Sequence, residues 1–218
     1  MDYNFISSTP LFCGMDVEET EGILSCLSAA AKTYEKKETV FHMGDTIASM
    51  GLVLSGAVNI VKHDVWGNQM ILDHVQKGQV FGETYACLER ERLMAEVVAV
   101  EKTDILFLEA GRVIRTCSAG CSFHSRLIHN LIDILARRNL TLTSKIDHIT
   151  PRLIRDRVLS YLSSQAVRAG ACSFQIPFNR QQLADYLSVD RSALSNELSK
   201  LEKEGILTFK KNDFVLHI

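Results

Sequence analysis

The sequence predicts an α+β fold built from three consecutive segments. In the first, short apolar or alternating runs lie between glycines at positions 44, 56, 67 and 78, and this spacing of 12, 11 and 11 residues is typical of an antiparallel barrel or sandwich. The second has apolar residues at alternating steps of four and three, which indicates a long helix with one apolar seam. The third combines helical patterns with a short terminal hairpin, so helices and strands occur in separate parts of the chain.

Composition and the N-terminus limit the class of protein. Hydrophobic residues make up 46% of the 218 positions and charged residues 23%, which is typical of a globular chain with a packed core. No run of about 18 apolar residues occurs, so no membrane span is expected. The N-terminus MDYNFISSTPLF has no basic segment followed by an apolar one, so we expect no secretory signal and a cytoplasmic location. In that reducing compartment the six cysteines are expected to be thiols.

The charge is distributed unevenly along the chain. Residues 151–218 contain ten Lys and Arg against seven Asp and Glu, whereas residues 1–150 contain fourteen against nineteen. A mildly basic C-terminal third on an acidic body indicates an anionic partner at that end, although the asymmetry is too small to identify it.

Residues 1–113 are expected to form the barrel domain. WGN at 66–68 has the composition of a hairpin turn. VEETEGILSCL near the start has the pattern of an amphipathic helix that packs on the barrel. The predicted strands contain the runs LVLS, AVNIVKH, QMILDHV, QVF, AEVVAV and DILFLE.

A long helix is predicted from about Cys117 to Ile149, within a segment that spans 114–149. β-Branched residues at a positions with leucine at d favour a parallel two-stranded coiled coil, and Asn139 at an a position would fix register and dimeric state. The alternative is a helix that packs on its own barrel, with Asn139 at a solvent edge. The predicted seam consists of Ile128, Ile132, Leu135, Asn139, Leu142 and Ile146.

A new helix is predicted at the start of the third segment. Thr150 has the character of an N-cap and Pro151 that of a first helical residue, which places a hinge at His148–Thr150. Gly170 is expected to end this helix.

Two short helices are predicted next, at 180–187 and 191–203, with only Ser188–Asp190 between them. Asn179 and Gln182 form the sequence pattern of a capping box at the start of the first. Two helices joined by so short a turn are typical of a helix-turn-helix, in which the second helix enters the DNA major groove. The alternative is a plain helical hairpin with a solvated polar face.

The second of these helices has an apolar stripe and an unusual polar face. Leu194, Leu198 and Leu201 recur at i, i+4 and i+7. The opposite side carries short polar groups, which allow close approach to DNA, and Arg and Asn can bind guanine and adenine in bidentate fashion. The basic KK turn that follows lies where a wing would contact phosphates.

In this order, the features resemble the Crp/Fnr superfamily of bacterial transcription regulators. The most specific matches are GQVFGE at 78–83, ARR at 136–138 and LADYLSVDRSALSNELSKLEKEGIL at 183–207. The resemblance implies three partners: double-stranded DNA with a palindromic operator, a second copy of the chain, and RNA polymerase. It implies a jelly-roll-like, cyclic-nucleotide-binding-type β-roll at 1–113, a dimerisation helix at 114–149, and a winged helix-turn-helix at 150–218.

The resemblance also implies which side chains meet DNA. Those that read base edges would be Arg191, Ser192, Ser195 and Asn196. Those that hold phosphates would be Arg180, Gln181, Gln182, Ser199, Lys210 and Lys211.

An effector pocket is implied at Gly82, Glu83, Ala95, Glu96, Leu142 and Thr143. In the cyclic-nucleotide branch, a motif that begins FGE ends in Arg-Ser or Arg-Thr, which holds the ligand phosphate. Here Ala95 and Glu96 occupy that place, and a carboxylate repels a phosphate that a guanidinium would bind. Leu142 makes the base-contacting end more apolar. We therefore expect an unknown small-molecule effector, and not cAMP bound in the usual way.

The cysteines offer a rival sensing chemistry. Cys117 and Cys121 lie four residues apart with His124 three further on, and thiolate and imidazole at helical spacing can bind a metal. The spacing of Cys13 and Cys26 departs from the iron–sulfur branch of the family. Buried small hydrophobic residues are the plainer interpretation. No metal site is predicted, and a redox- or metal-responsive regulator stays an alternative.

No enzyme is predicted. The sequence has no G-x-S-x-G, no phosphate-binding G-x-x-x-x-G-K-[ST], no H-E-x-x-H and no C-x-x-C. A ligand-binding module whose C-terminal domain contacts a protein instead of DNA is the other alternative.

Overall fold

A computed structural model describes residues 1–63, 69–88, 90–114 and 122–217. The chain divides into two compact units, Met1–Leu135 and Ala136–Ile218. Within the described ranges the helices are α1 (Tyr3–Ser7), α2 (Val17–Cys26), α3 (Glu83–Cys87), α4 (Ala110–Ile114), α5 (Ser122–Ile149), α6 (Ile154–Ala169), α7 (Arg180–Leu187) and α8 (Arg191–Lys203), with a 3-10 turn at Pro10–Phe12. The strands are β1 (Ala30–Tyr34), β2 (Thr39–Phe41), β3 (Ser49–Ser55), β4 (Ala57–His63), β5 (Gln69–Gln76), β6 (Val80–Phe81), β7 (Glu96–Ala99), β8 (Thr103–Glu109), β9 (Ser173–Gln175), β10 (Leu207–Lys210) and β11 (Asp213–Leu216).

Two four-stranded sheets build the first unit. Their strand orders are β1-β8-β3-β6 and β2-β7-β4-β5, and the paired strands are antiparallel. Side chains from both sheets meet in one apolar cluster, as expected for a closed roll. The α+β fold with an antiparallel N-terminal β-roll is thereby confirmed. The buried members of the cluster are Tyr34, Val53, Val58, Val75, Phe81, Val97, Ala99 and Ile105.

The regularly spaced glycines mark turns of this roll. Gly44, Gly56 and Gly78 have φ angles of +91°, +73° and +85°, in the left-handed region that favours glycine. At Gly56 an added Cβ would also lie 2.6 Å from the carbonyl oxygen of Lys102. The predicted WGN turn, which contains Gly67, lies outside the described residues.

The amphipathic segment predicted near the start is α2. The Asp16 carboxylate accepts the N–H of Glu19 at 2.8 Å, and the Glu19 carboxylate accepts the N–H of Asp16 at 3.0 Å. This capping box starts the helix. Ile23 and Leu24 of its apolar face join a second core cluster, which lies against the outer side of the first sheet.

One face of α5 packs on that same cluster. Leu127 and Leu131 are 0% and 4% exposed. Between them Asn130 donates from Nδ2 to the carbonyl oxygens of Leu11 and Cys13, each at 2.9 Å. The first half of the helix is therefore fixed to the first unit by both apolar and polar contacts.

The predicted heptad seam is a different face of α5, and it is largely open. Ile132, Leu142 and Ile146 are 57%, 61% and 58% exposed. Asn139 is also exposed, whereas Ile128 and Leu135 are partly buried. Packing on the chain's own first unit accounts for one apolar face of the helix and leaves most of the seam uncovered.

The helix predicted to begin at Pro151, with Thr150 as its N-cap, begins instead at Ile154 and has Leu153 as its N-cap. The N–H and the hydroxyl of Thr150 both donate to the carbonyl of Ile146, at 2.9 and 2.7 Å. Thr150 therefore completes the last turn of α5. Pro151 cannot continue that turn because it has no N–H to donate, so the chain bends before α6 starts.

The second unit closes around a small sheet of order β10-β11-β9. Gly170, with φ +63°, ends α6 as predicted. The predicted terminal hairpin is β10 and β11, which join through a turn at Lys211 and Asn212. Side chains from α6, α7, α8 and this sheet share one core, so the helices and the hairpin form a single winged helix-turn-helix.

Candidate nucleic-acid interface and effector pocket

The helix-turn-helix has the predicted bounds, with α7 and α8 separated by Ser188–Asp190. Asn179 accepts the N–H of Gln182 at 3.0 Å and donates its own N–H to the Gln182 side chain at 2.8 Å, which is the predicted capping box. The Asp190 carboxylate accepts the backbone N–H groups two and three residues on, at 2.8 and 3.0 Å. The hydrogen bond from the Ser192 hydroxyl is the main reason that the pKa of Asp190 lies below its ordinary value, and the two backbone hydrogen bonds lower that pKa further. Both helix starts are therefore fixed by their own caps.

The two faces of α8 differ sharply. Leu194, Leu198 and Leu201 are fully buried. At about 100° per residue, the five predicted DNA-contacting positions of this helix span an arc of about 140°, centred about 120° away from the leucine stripe. Within that arc Ser195 is half-buried and the other four are exposed, the full set being Arg191, Ser192, Ser195, Asn196 and Ser199.

The serines of this arc already use their hydroxyl protons. Ser195 donates to the carbonyl of Arg191 at 2.9 Å, Ser199 donates to the carbonyl of Ser195 at 3.0 Å, and Ser192 donates to Asp190. Over the described part of the chain, the side chains of Arg191 and Asn196 make no hydrogen bond or ion pair. The arc is therefore a surface of short side chains, from which the longer polar side chains of Arg191 and Asn196 project.

Arg180, one of the predicted phosphate-binding residues, lies against the wing. Its guanidinium lies 4.9 Å from the ring centre of Phe209 and 5.8 Å from that of Phe214, and it donates to the carbonyl of Lys211 at 3.4 Å. Burial lowers the pKa of Arg180 from its ordinary value. Arg180 thus holds the wing against the start of α7 through cation–π contacts.

The other predicted phosphate-binding residues divide by how far their side chains are engaged. Lys210 and Lys211 at the wing turn are exposed. Gln181 donates to the Asp185 carboxylate at 2.8 Å, and the Gln182 oxygen serves in the capping box. The wing lysines are therefore the freer cations for an anionic partner.

Two arginines that the sequence patterns did not single out hold the end of α8 and the turn that precedes it. Arg155 of α6 makes a bidentate pair with Glu204 just after α8, at 3.0 and 2.6 Å, and this pair lowers the pKa of Glu204. Arg157 donates from Nη1 to the carbonyls of Leu187 and Ser188, each at 3.1 Å. These contacts join residues about 30 to 50 positions apart, so no local spacing could indicate them.

The FGE segment, which begins the predicted effector pocket, is well packed. Gly82 has φ +74°, and an added Cβ would lie 3.0 Å from Ile47 Cδ1 and 3.3 Å from Phe41 Cε2. Only glycine suits that backbone and that space. Glu83, in the first turn of α3, is 1% exposed.

Ala95 and Glu96 are placed on different sides of the local backbone. Val97 and Ala99 belong to the apolar cluster of the roll, so Glu96 lies on the opposite face of β7. Its carboxylate is 3.6 Å from His63 Nε2. Ala95 is 7% exposed and offers only a methyl group. The position therefore contains no cation for a phosphate, and the Glu96 carboxylate is directed toward His63.

The remaining two predicted pocket residues lie in the second unit, on α5. Leu142 is 61% exposed, and Thr143 is exposed as well. The Thr143 hydroxyl is 3.5 Å from the Asn139 side-chain oxygen. These side chains are open for further contacts.

The cysteine alternative gains little from the structure. Cys117 and Cys121 lie outside the described residues. Cys26 Sγ is 3.9 Å from Nε2 of the buried His124, and no group of three or more His, Cys, Asp and Glu in the described ranges could hold a metal ion.

Comparison with known protein families defines the class of the chain. Residues 31–119 match the model of the cyclic nucleotide-binding domain, and residues 156–217 match that of the Crp-like helix-turn-helix domain. A β-roll of the nucleotide-binding type is thus joined to a DNA-binding helix-turn-helix.

Individual proteins match along most of the chain. The "Cyclic AMP receptor protein" of Thermus thermophilus is 30% identical over 206 residues, which cover 93% of this chain and 89% of the relative. The "CRP-like protein Clp" of Xanthomonas campestris is 23% identical, with coverages of 85% and 83%. The chain therefore belongs to the Crp family of DNA-binding transcription regulators, a family of regulators rather than enzymes.

Solved structures agree with this assignment. The crystal structure of Thermus thermophilus catabolite activator protein matches with a TM-score of 0.52 and 27% identity, over 96% of this chain and 94% of that one. The structure of the c-di-GMP-responsive regulator CLP of Xanthomonas campestris has the same fold, with a TM-score of 0.58 and 20% identity over 93% and 100%. Among the residues that the structure describes, no helix has the length and apolarity needed to span a bilayer.

Proposed function

We propose that this chain is a homodimeric, sequence-specific regulator of transcription whose DNA binding is controlled by a small molecule in the β-roll. The observation that carries the proposal is the exposed polar arc of α8, from which Arg191 and Asn196 project without partners in the described part of the chain. A solvated helix face would more often pair such groups along the helix.

Base reading is assigned to the first two turns of α8. Arg191 can donate two hydrogen bonds to O6 and N7 of guanine, and Asn196 can pair with N6 and N7 of adenine. Ser192 and Ser195 keep acceptor lone pairs and allow the helix to approach the base edges closely. Lys210 and Lys211 at the wing turn are assigned to phosphates, which position the domain without reading sequence.

Homodimerisation is assigned to the open seam of α5. A second copy in parallel would cover Ile132, Leu142 and Ile146, which are more than half exposed in the single chain. Asn139 would then meet its own copy and fix the register. Two recognition helices related by a two-fold axis would match a palindromic operator, with half-sites about 34 Å apart. RNA polymerase is the further partner that the family resemblance implies.

The effector is proposed to differ from cAMP in its usual binding mode. Ala95 supplies a methyl group where a cyclic-nucleotide phosphate would need a cation, and the nearby Glu96 carboxylate adds no positive charge. The relatives themselves differ in effector, since one is named for cyclic AMP and one is described as responsive to c-di-GMP. We therefore propose a molecule whose recognition does not depend on a phosphate beside Ala95.

Selection of duplexes from a random pool tests the DNA-binding function. Purified full-length protein would be incubated with the pool near physiological salt, bound duplexes would be amplified, and enriched sequences would be measured by gel shift. We expect a palindromic consensus that binds far more tightly than the starting pool. Enrichment of no sequence, together with binding that disappears uniformly as salt rises, would instead favour a module that contacts a protein.

A further inference from the structure

A cluster of aromatic rings joins the end of α5 to the helix-turn-helix. His148, in the last turn of α5, is 4% exposed. Its ring centre is 5.5 Å from that of Tyr161 on α6, with the planes nearly perpendicular, and 5.9 Å from that of Tyr186 on α7. Phe178, just before α7, completes the cluster at 5.0 Å from Tyr186 and 6.0 Å from Tyr161.

A hydrogen bond fixes the orientation of the imidazole in this cluster. His148 Nδ1 is 3.0 Å from the Tyr186 hydroxyl. Burial raises the pKa of Tyr186, and it raises the pKa of Tyr161 to about 12. Both phenols therefore stay protonated near neutral pH, so the Tyr186 hydroxyl keeps a proton that it can donate to the imidazole.

This contact bridges the bend between α5 and α6. His148 lies on one side of the bend at Pro151, and Tyr186 lies in the first helix of the helix-turn-helix, which shares its core with α8. Any rotation of the winged domain about the bend would withdraw the imidazole from its partners on both α6 and α7. The contact therefore links the last turn of α5 to the helix-turn-helix that contains α8.

We propose that His148 is a positioning residue that fixes the winged domain on the end of α5 and releases it when the imidazole is protonated. The proposal rests on the DNA-binding function proposed above and adds a form of regulation to it. In the fixed state both recognition helices of a dimer are held ready for DNA, whereas in the released state binding must also order the bend.

The direction of the pH effect follows from the surroundings of the ring. Burial lowers the pKa of His148 below its ordinary value, the positive charge of Arg168 on α6 lowers it further, and Asp147 opposes both. Within the described part of the chain, further ionisable groups at the cluster are Tyr161, Tyr186 and the ammonium of Lys145, which is 5.7 Å from the Tyr186 ring centre.

Because the fixed state binds the proton more weakly than the released state, it is fully favoured above the ordinary histidine pKa of about 6.5. It is lost progressively as the pH falls below that value. We therefore expect operator affinity to decrease between neutral and mildly acidic pH. For each unit by which the pKa of His148 is lower in the fixed state, the equilibrium constant between the fixed and released states of one protomer changes about tenfold over this range.

The first test compares operator affinity from pH 8 to about pH 5 for the full-length protein and three variants. Tyr186→Phe keeps the ring and removes the hydroxyl, and His148→Gln removes the titrating group. Both are expected to bind the selected operator several-fold more weakly at neutral pH, and His148→Gln is expected to lose most of the pH dependence. His129→Gln, at an exposed position of the same helix, should behave as the unaltered protein does. A pH profile unchanged in His148→Gln would overturn the proposal.

The second test needs no DNA and separates this proposal from the function on which it rests. The imidazole resonances of the full-length protein would be followed by NMR over the same pH range, with His148→Gln used to assign the His148 resonance. We expect His148 to titrate below the ordinary histidine pKa of about 6.5. If it titrates at or above that value, the proposal fails whatever the DNA results. A protein that selects no duplex but shows the lowered titration would refute the DNA-binding function and leave the structural contact intact.

Discussion

At the residue scale, the proposal that α8 reads DNA bases depends on two side chains in the first two turns of that helix. Arg191 and Asn196 project from an arc whose serines are bonded within the helix or to its cap. Serine hydroxyls engaged in this way contribute little directional recognition, so discrimination between bases depends on the two longer groups.

Arg191→Ala is expected to remove the preference for one base in each half-site, at a cost of about 1–3 kcal/mol per half-site. The measurement is the affinity for the selected operator and for its single-base variants, at fixed salt. Lys203→Ala, in the last turn of the same helix, is the matched control and should leave the preference unchanged. Full discrimination by Arg191→Ala would show that the base-reading surface has been assigned to the wrong side chains.

Arg180 shows which contacts of a single residue can be predicted from sequence. Its place at the start of α7 predicts a phosphate contact, and the structure adds that its guanidinium lies against Phe209 and Phe214 of the wing. Those rings are about 30 residues away along the chain. A pattern within one helix contains no information on a partner so distant, whereas the cap at Asn179 involves neighbours and was predicted correctly.

At the scale of secondary structure, α5 illustrates both the strength and the limit of periodicity. The heptad steps correctly indicated a long helix with an apolar seam, because side chains at steps of three and four share one face. The same sequence contains a second apolar face at Leu127 and Leu131, which packs on the first unit. The predicted start of α6 at Pro151 was wrong. The N–H and the hydroxyl of Thr150 donate to the carbonyl of Ile146, so Thr150 belongs to the last turn of α5.

The seam can be tested by placing one charge on it. Ile146→Glu would bury a carboxylate in the proposed dimer, so we expect the protein to become monomeric at micromolar concentration and to lose operator affinity. Leu140→Glu is the matched control, because Leu140 is 69% exposed on the same helix but lies off the seam. Sedimentation equilibrium would measure the mass of each. If both variants have the mass of the unaltered protein, the seam is an ordinary solvated face.

At the scale of the whole molecule, the order of domains could be predicted because each segment has its own recognisable sequence pattern. Glycine spacing indicated the roll, heptad steps the long helix, and capping patterns the helix-turn-helix, and the family matches agree with that order. Elements without such a sequence pattern were not predicted. β1 is one example, since four of its five residues are exposed and no alternation is visible, and the five-residue helices α3 and α4 are others.

The central claim is that two copies of α8 are presented together by the paired α5 helices. It is tested most directly by the affinity of the full-length protein for selected half-sites placed at increasing separations. We predict a maximum when the half-site centres are about one helical turn, or 10 to 10.5 base pairs, apart, and a steep loss when about half a turn is inserted. An isolated half-site bound as tightly as the pair, or an affinity independent of separation, would contradict the claim.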